Sequence, residues 1–325
     1  MTAMERETTV QLGSPAAAGP DAVRVGQRTF AGSRTRVLEA GPRGRRAKTR
    51  LILLHGYCDS ADTWRPALAE LAASGVSVLA VDLPGFGEAE PLRPGSMLPQ
   101  LDAFVDAVLK EQRGYGKVVL AGNSLGGTMS LRAAQSPRIP IAGVVSIAAP
   151  GFVDSWLVRT IGRYPLPLRL CASLPLPVPS FVVRSIAEYV VPRLLYADHG
   201  VAAADQVQRF TSLFPDYRSA TSRLDQARQL VEELAEAYQG LDRLQVPLLV
   251  VACGKDRLVT PASGERLHAL VPHSRLLIRD EWGHCPQLDD PAGLAEMITY
   301  FTAGIGRTAR RRAGKPVAIP NAAAG

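Results

Sequence analysis

Five short apolar runs recur along the chain, at Leu51-Ile52-Leu53-Leu54, Val76-Ser77-Val78-Leu79-Ala80-Val81, Val118-Val119-Leu120, Val144-Val145-Ser146-Ile147 and Leu248-Leu249-Val250-Val251. Runs this short and this uniformly apolar read as strands buried on both faces, and strands of that kind are usually parallel. Between and after them, residues 61–73, 98–112, 125–135 and 262–270 carry helical periodicity and end near Gly, Ser or Pro. A strand-like stretch at 275–279 and a helix starting near Pro291 continue the series. The alternation predicts an α/β fold built on a doubly wound, mostly parallel sheet.

One interval breaks the alternation. From Pro150 to about Gln245 there are helical patterns but no buried-strand run, with prolines clustered at Pro165, Pro167, Pro175, Pro177 and Pro179. An inserted helical lid over residues 151–245 accounts for this, leaving 23–150 and 246–304 as the core. Within the lid, Val182, Ile186, Tyr189 and Val190 form an apolar stripe at i, i+4, i+7 and i+8, which is expected to pack on the core or to face the active site. Residues 1–22 and the basic tail 305–325 lack apolar periodicity and read as flexible ends.

Composition narrows the class. With 325 residues and 46% hydrophobic content, the chain buries a large core and is not a disordered protein. Net charge is +7, with basic residues concentrated at Arg43 to Arg50 and Arg307 to Lys315, both read as exposed. Clustered positive charge attracts any polyanion, so peripheral contact with anionic lipid stays open, but no nucleic-acid motif accompanies it and no nucleic-acid partner is expected. Charges and prolines interrupt Pro177 to Leu195, the most apolar long stretch, so no membrane span is predicted. The first thirty residues lack the features of a secretory signal, which predicts a cytoplasmic protein. Cys58, Cys171, Cys253 and Cys285 are far apart and without C-x-x-C spacing, so they read as reduced thiols, and no metal or cofactor motif is found.

The chemistry concentrates where strands end. Gly122-Asn123-Ser124-Leu125-Gly126 is a G-x-S-x-G segment directly after a strand and directly before a helix. A serine on that sharp turn is held out above the sheet, and Gly122 and Gly126 remove side chains that would collide across it. A hydroxyl attacks only when a base takes its proton, and His284, in the loop after 275–279, is the candidate base. His268 and His273 read as surface groups, and His199 belongs to the lid. Asp256, following Leu248 to Ala252, is the candidate for orienting the imidazole, with Asp154 and Asp280 as weaker alternatives. The order Ser124, Asp256, His284 is the one this architecture uses. Backbone N–H groups of Tyr57 and Leu125 are candidates for the oxyanion hole, while His55 and Gly56 shape the loop that carries Tyr57.

Taken together, Leu54-His55-Gly56-Tyr57, Asp82-Leu83-Pro84-Gly85-Phe86-Gly87, Gly122 to Gly127, Gly254-Lys255-Asp256-Arg257 and Trp282-Gly283-His284 resemble the α/β-hydrolase superfamily over about residues 25–304. The likeness is to its lid-bearing serine hydrolases: lipases and esterases, carbon–carbon hydrolases of ring-cleavage products, and cofactor-free haloperoxidases. It departs from the usual pattern after Gly87, where Glu88 and Ala89 replace x-S. The resemblance implies that the lid governs substrate entry. Its Trp156, Leu157, Leu166, Leu168, Leu174, Phe181 and Val182 then suit a hydrophobic ester.

Overall fold

A computed structural model describes residues 23–44, 47–136, 140–153 and 178–305. An eight-stranded sheet runs through it: β1 (Arg24–Phe30), β2 (Ser33–Ala40), β3 (Thr49–Leu54), β4 (Ser77–Val81), β5 (Lys117–Asn123), β6 (Gly143–Ile147), β7 (Leu248–Cys253) and β8 (Arg275–Arg279). Their spatial order is β1-β2-β4-β3-β5-β6-β7-β8. All pairs from β4 to β8 are parallel, as the buried runs predict, whereas β1 pairs antiparallel with β2 and β2 with β4.

The β1–β2 hairpin escapes a search for buried runs because β1 alternates exposed and half-buried positions at the sheet edge. Its two-residue turn, Ala31-Gly32, has positive φ at both positions (51° and 80°), which matches the twist of a hairpin but places an alanine where Asn or Gly is usual.

Adjacent residues of the central strands face opposite sides of the sheet. Ile52 and Leu54 meet one apolar layer with α2 (Met97–Glu111) and α3 (Leu125–Gln135), while Leu51 and Leu53 meet another with α1 (Arg65–Ala73). Between β6 and β7 stand α4 (Ser180–Leu195), α5 (Ala204–Thr211) and α6 (Tyr217–Leu234). The chain closes with α7 (Pro261–Leu270), the short α8 (Pro286–Asp289) and α9 (Pro291–Gly304), whose Leu294 and Ile298 join the α1 layer.

Two expectations change. The stripe Val182, Ile186, Tyr189, Val190 turns outward, with Ile186 58% and Tyr189 61% exposed, while Val183 and Ala187 are buried. The helix packs through the adjacent face, where smaller side chains permit a closer approach; the bulkier stripe lies around the helix from it. Arg50, counted with an exposed basic run, is 1% exposed on an inner strand. Its guanidinium is satisfied there by Gln112, Ser77, the Val78 carbonyl and Glu39, which is how a strand interior tolerates a charge.

Residues 1–22, Cys171, Asp154, the lid residues 156–174 and the basic tail from Arg307 onward lie outside the described residues. Among the described residues no helix is long and apolar enough to cross a membrane.

Candidate active site

The candidate residues stand at or after the carboxyl ends of parallel strands, where an open α/β sheet forms its ligand crevice. Ser124 follows β5 directly, with φ 53° and ψ −117°. That conformation is strained for a residue with a side chain. Its N–H is tied to the Ile147 carbonyl at 2.8 Å. The turn is possible only because its neighbours are glycines. A Cβ on Gly122 would stand 2.1 Å from the Gly126 backbone, and one on Gly126 would stand 2.1 Å from the Leu54 carbonyl oxygen. Leu125 is the first residue of α3, and first-turn N–H groups have no acceptor within the helix.

His284 is 4% exposed, and its Nδ1 lies 2.7 Å from Asp256 Oδ2. The other oxygen of Asp256 accepts from the N–H groups of Leu258 (2.7 Å) and Val259 (2.8 Å), so both carboxylate oxygens are committed. A carboxylate facing Nδ1 places the imidazole proton there and leaves Nε2 with a lone pair. Of the alternative acids, Asp280 is exposed immediately after β8.

His55 is fully buried and differently employed. Its Nε2 accepts from the Leu83 N–H at 2.8 Å, so its proton sits on Nδ1 and is donated to the Gly56 carbonyl at 2.8 Å. Burial pushes its pKa below the ordinary histidine range. The imidazole thus pins the Gly56-Tyr57 turn to the loop after β4. That loop is organised by Asp82, whose carboxylate takes the Ala61 and Glu88 N–H groups and the Arg36 guanidinium. A Cβ on Gly87 would collide with this carboxylate at 2.4 Å, and the unusual Glu88 uses its backbone to hold Asp82 and its side chain to pair with Arg36. His268, expected at the surface, is half-buried and bonded to the Ser274 hydroxyl, while His273 and His199 are exposed.

Several supporting contacts carry no signal in sequence. Asn123, the variable position before the serine, donates to the His284 carbonyl (2.8 Å) and accepts from Gln287, which also reaches Thr63. Gly283 is packed against the segment after α4, where a Cβ would stand 2.4 Å from the Ala197 nitrogen. Asp289 accepts from the N–H groups of Gly283 and Ala197 together. Apart from Gly283 and Asp289, these partners are far apart in the chain, and only folding brings them into contact.

Ser124, His284, Gly56 and Tyr57 border one cavity of about 200 Å³. Its far wall is supplied by α4 to α6, through Val191, Leu194, Phe210, Phe214 and Leu224 among others. Arg209 of α5 holds this wall to the loop after Tyr57 by bonding Asp59 and Ser60. Cys58, Cys253 and Cys285 are free thiols, and burial raises the pKa of each.

A sequence profile of the alpha/beta hydrolase family matches residues 51–297, about three quarters of the chain. The chain belongs to the alpha/beta hydrolase family. This alpha/beta hydrolase is 27% identical over 267 residues to the pimeloyl-(acyl-carrier protein) methyl ester esterase of Neisseria meningitidis serogroup C, covering 80% of this chain and 95% of that one. It is 26% identical over 255 residues to the hydrolase YugF of Bacillus subtilis, covering 77% and 89%. Its fold matches the crystal structure of a membrane phospholipase A with a TM-score of 0.69 and 20% identity, covering 88% of each chain.

Proposed function

We propose that this hydrolase cleaves a hydrophobic carboxylic ester through an acyl-enzyme on Ser124. The observation that carries the reading is the buried His284–Asp256 pair, whose imidazole borders the same cavity as a serine held in strained backbone geometry. Asp256 keeps the His284 proton on Nδ1, so Nε2 accepts the Ser124 proton as the hydroxyl attacks the ester carbonyl. The oxyanion that forms is received by the N–H groups of Tyr57 and Leu125, and each such donor is typically worth about 10²- to 10³-fold in rate. His284 then protonates the leaving alcohol, and water repeats the sequence to release the acid. Residues 151–245 act as the lid, since α4 to α6 supply the apolar wall that receives the non-reacting part of the substrate. The methyl ester cleaved by the Neisseria relative supports the ester class.

The test compares p-nitrophenyl butyrate and octanoate hydrolysis by the intact protein and by Ser124→Ala, with fluorophosphonate labelling of both. The expected result is faster turnover of octanoate than of butyrate, a loss of at least about 10⁴-fold in the variant, and labelling of the wild type only. Undiminished hydrolysis by Ser124→Ala would overturn the mechanism.

A further inference from the structure

The part of the cavity wall that α4 to α6 supply is apolar except at Arg223 of α6, which faces the cavity half-buried. The acidic side chain of the lining, Asp59, is already engaged by Arg209 and the Ser60 N–H. Arg223 is not. Among the described residues its guanidinium makes one long hydrogen bond, from Nη1 to the Gly85 carbonyl at 3.4 Å, and no ion pair with an Asp or Glu. The residue is nevertheless well placed. The Tyr57 hydroxyl donates to the Arg223 backbone carbonyl at 2.5 Å, fastening this turn of α6 to the loop that carries the proposed oxyanion donor.

A guanidinium has five N–H donors in a planar fork, and its charge is costly to hold against apolar surroundings without an anion. A carboxylate matches that fork with two parallel hydrogen bonds. We infer that Arg223 selects esters whose non-reacting end carries a carboxylate, so that the preferred substrate is amphipathic: an alkyl stem along the apolar wall and an anion at Arg223. The inference rests on the ester-hydrolase reading above, and it makes Arg223 a specificity-determining residue with no part in bond cleavage.

The experiment uses matched pairs of equal chain length. Monomethyl suberate against methyl octanoate places the anion on the acyl side, and a carboxyalkyl butyrate against the corresponding alkyl butyrate places it on the alcohol side. For the intact protein, Arg223→Gln and Arg223→Lys, the quantity read is the ratio of kcat/KM for the charged ester to that for its neutral partner. The ratio is expected to exceed one in the wild type for one of the two pairs, to fall about 10- to 100-fold in Arg223→Gln, mainly through KM, and to be partly kept in Arg223→Lys. Equal losses for both members of each pair would show that Arg223 only supports the fold, and a wild-type ratio at or below one for both pairs would also overturn the inference. Calorimetric titration with suberate, which has no ester to cleave, separates this from the catalytic reading. Binding by the wild type and not by Arg223→Gln, without turnover of any ester, would sustain the carboxylate site and sink the ester chemistry. Turnover without charge preference and without suberate binding would do the reverse.

Discussion

Exchanging Asp256 for asparagine changes few atoms and tests the proposed proton path directly. Asp256 Oδ1 receives two backbone N–H groups, from Leu258 and Val259, and Oδ2 faces His284 Nδ1. In Asp256→Asn the carbonyl oxygen must stay beneath the two backbone donors, because turning the NH₂ toward them would leave buried donors unsatisfied at about 1–3 kcal/mol each. The NH₂ therefore meets Nδ1, and the ring responds by moving its proton to Nε2. An Nε2–H cannot accept the Ser124 proton. A wrong-tautomer histidine costs about 10⁴-fold in kcat in enzymes of this chemistry, equivalent to about 5.5 kcal/mol of transition-state stabilisation. The fold should hardly notice: the side chain keeps its volume and both backbone bonds, so exchanging a charged acceptor for a neutral one costs about 1 kcal/mol. Asp256→Ala is the contrast, since it orphans the Leu258 and Val259 N–H groups and should lose about 2–4 kcal/mol of stability as well as activity. Ester hydrolysis and urea unfolding, measured on the same preparations, give both numbers. An asparagine variant that keeps more than about a tenth of wild-type kcat would refute the reasoning, because the tautomer would then not limit the reaction.

Three further outcomes are expected. Gly126→Ala should destabilise by more than about 2 kcal/mol, against the usual gain for alanine in a helix, because its Cβ would meet the Leu54 carbonyl at 2.1 Å; Gly304→Ala, with nothing within 4 Å, is the control, and equal urea midpoints would count against the packing argument. Glu233 of α6 accepts from the Met97 and Leu98 N–H groups at the start of α2 (2.8 and 2.7 Å), where Ser96 gives no side-chain cap, so Glu233→Ala should cost about 1–2 kcal/mol; no shift in the unfolding midpoint would show that the contact is idle. His55 binds its proton less readily folded than unfolded, so the unfolded chain holds more protons below about pH 6.5, and stability should rise with pH through that window and fall as the solution is acidified. A urea midpoint whose pH slope below about 6.5 is the same in His55→Gln would assign the acid sensitivity to other groups.

The sequence by itself determined most of the sheet and marked the candidate residues at its strand ends. Buried parallel strands must be apolar on both faces, so β3 to β7 announce themselves as runs, and Gly122 and Gly126 mark a turn no other residue fits. Ser124, Asp256 and His284 stood out as candidates because each lies at or shortly after the end of such a strand or its next neighbour, and strand ends converge on one crevice. The β1–β2 hairpin was not legible, because an edge strand is covered on one side only and its pattern is diluted by arginines. Tertiary structure alone decided which face of α4 is buried, since the helix has two apolar faces and only the shape of the surface beneath it selects between them. It also decided that Arg50 is buried and that Arg223 stands in the cavity wall without an ion pair among the described residues, because a charge is neutralised by whatever lies beside it in space. Neighbours along the chain report the local backbone; a side chain's partners, here dozens to hundreds of residues distant, exist only once the sheet and its helices have closed around them.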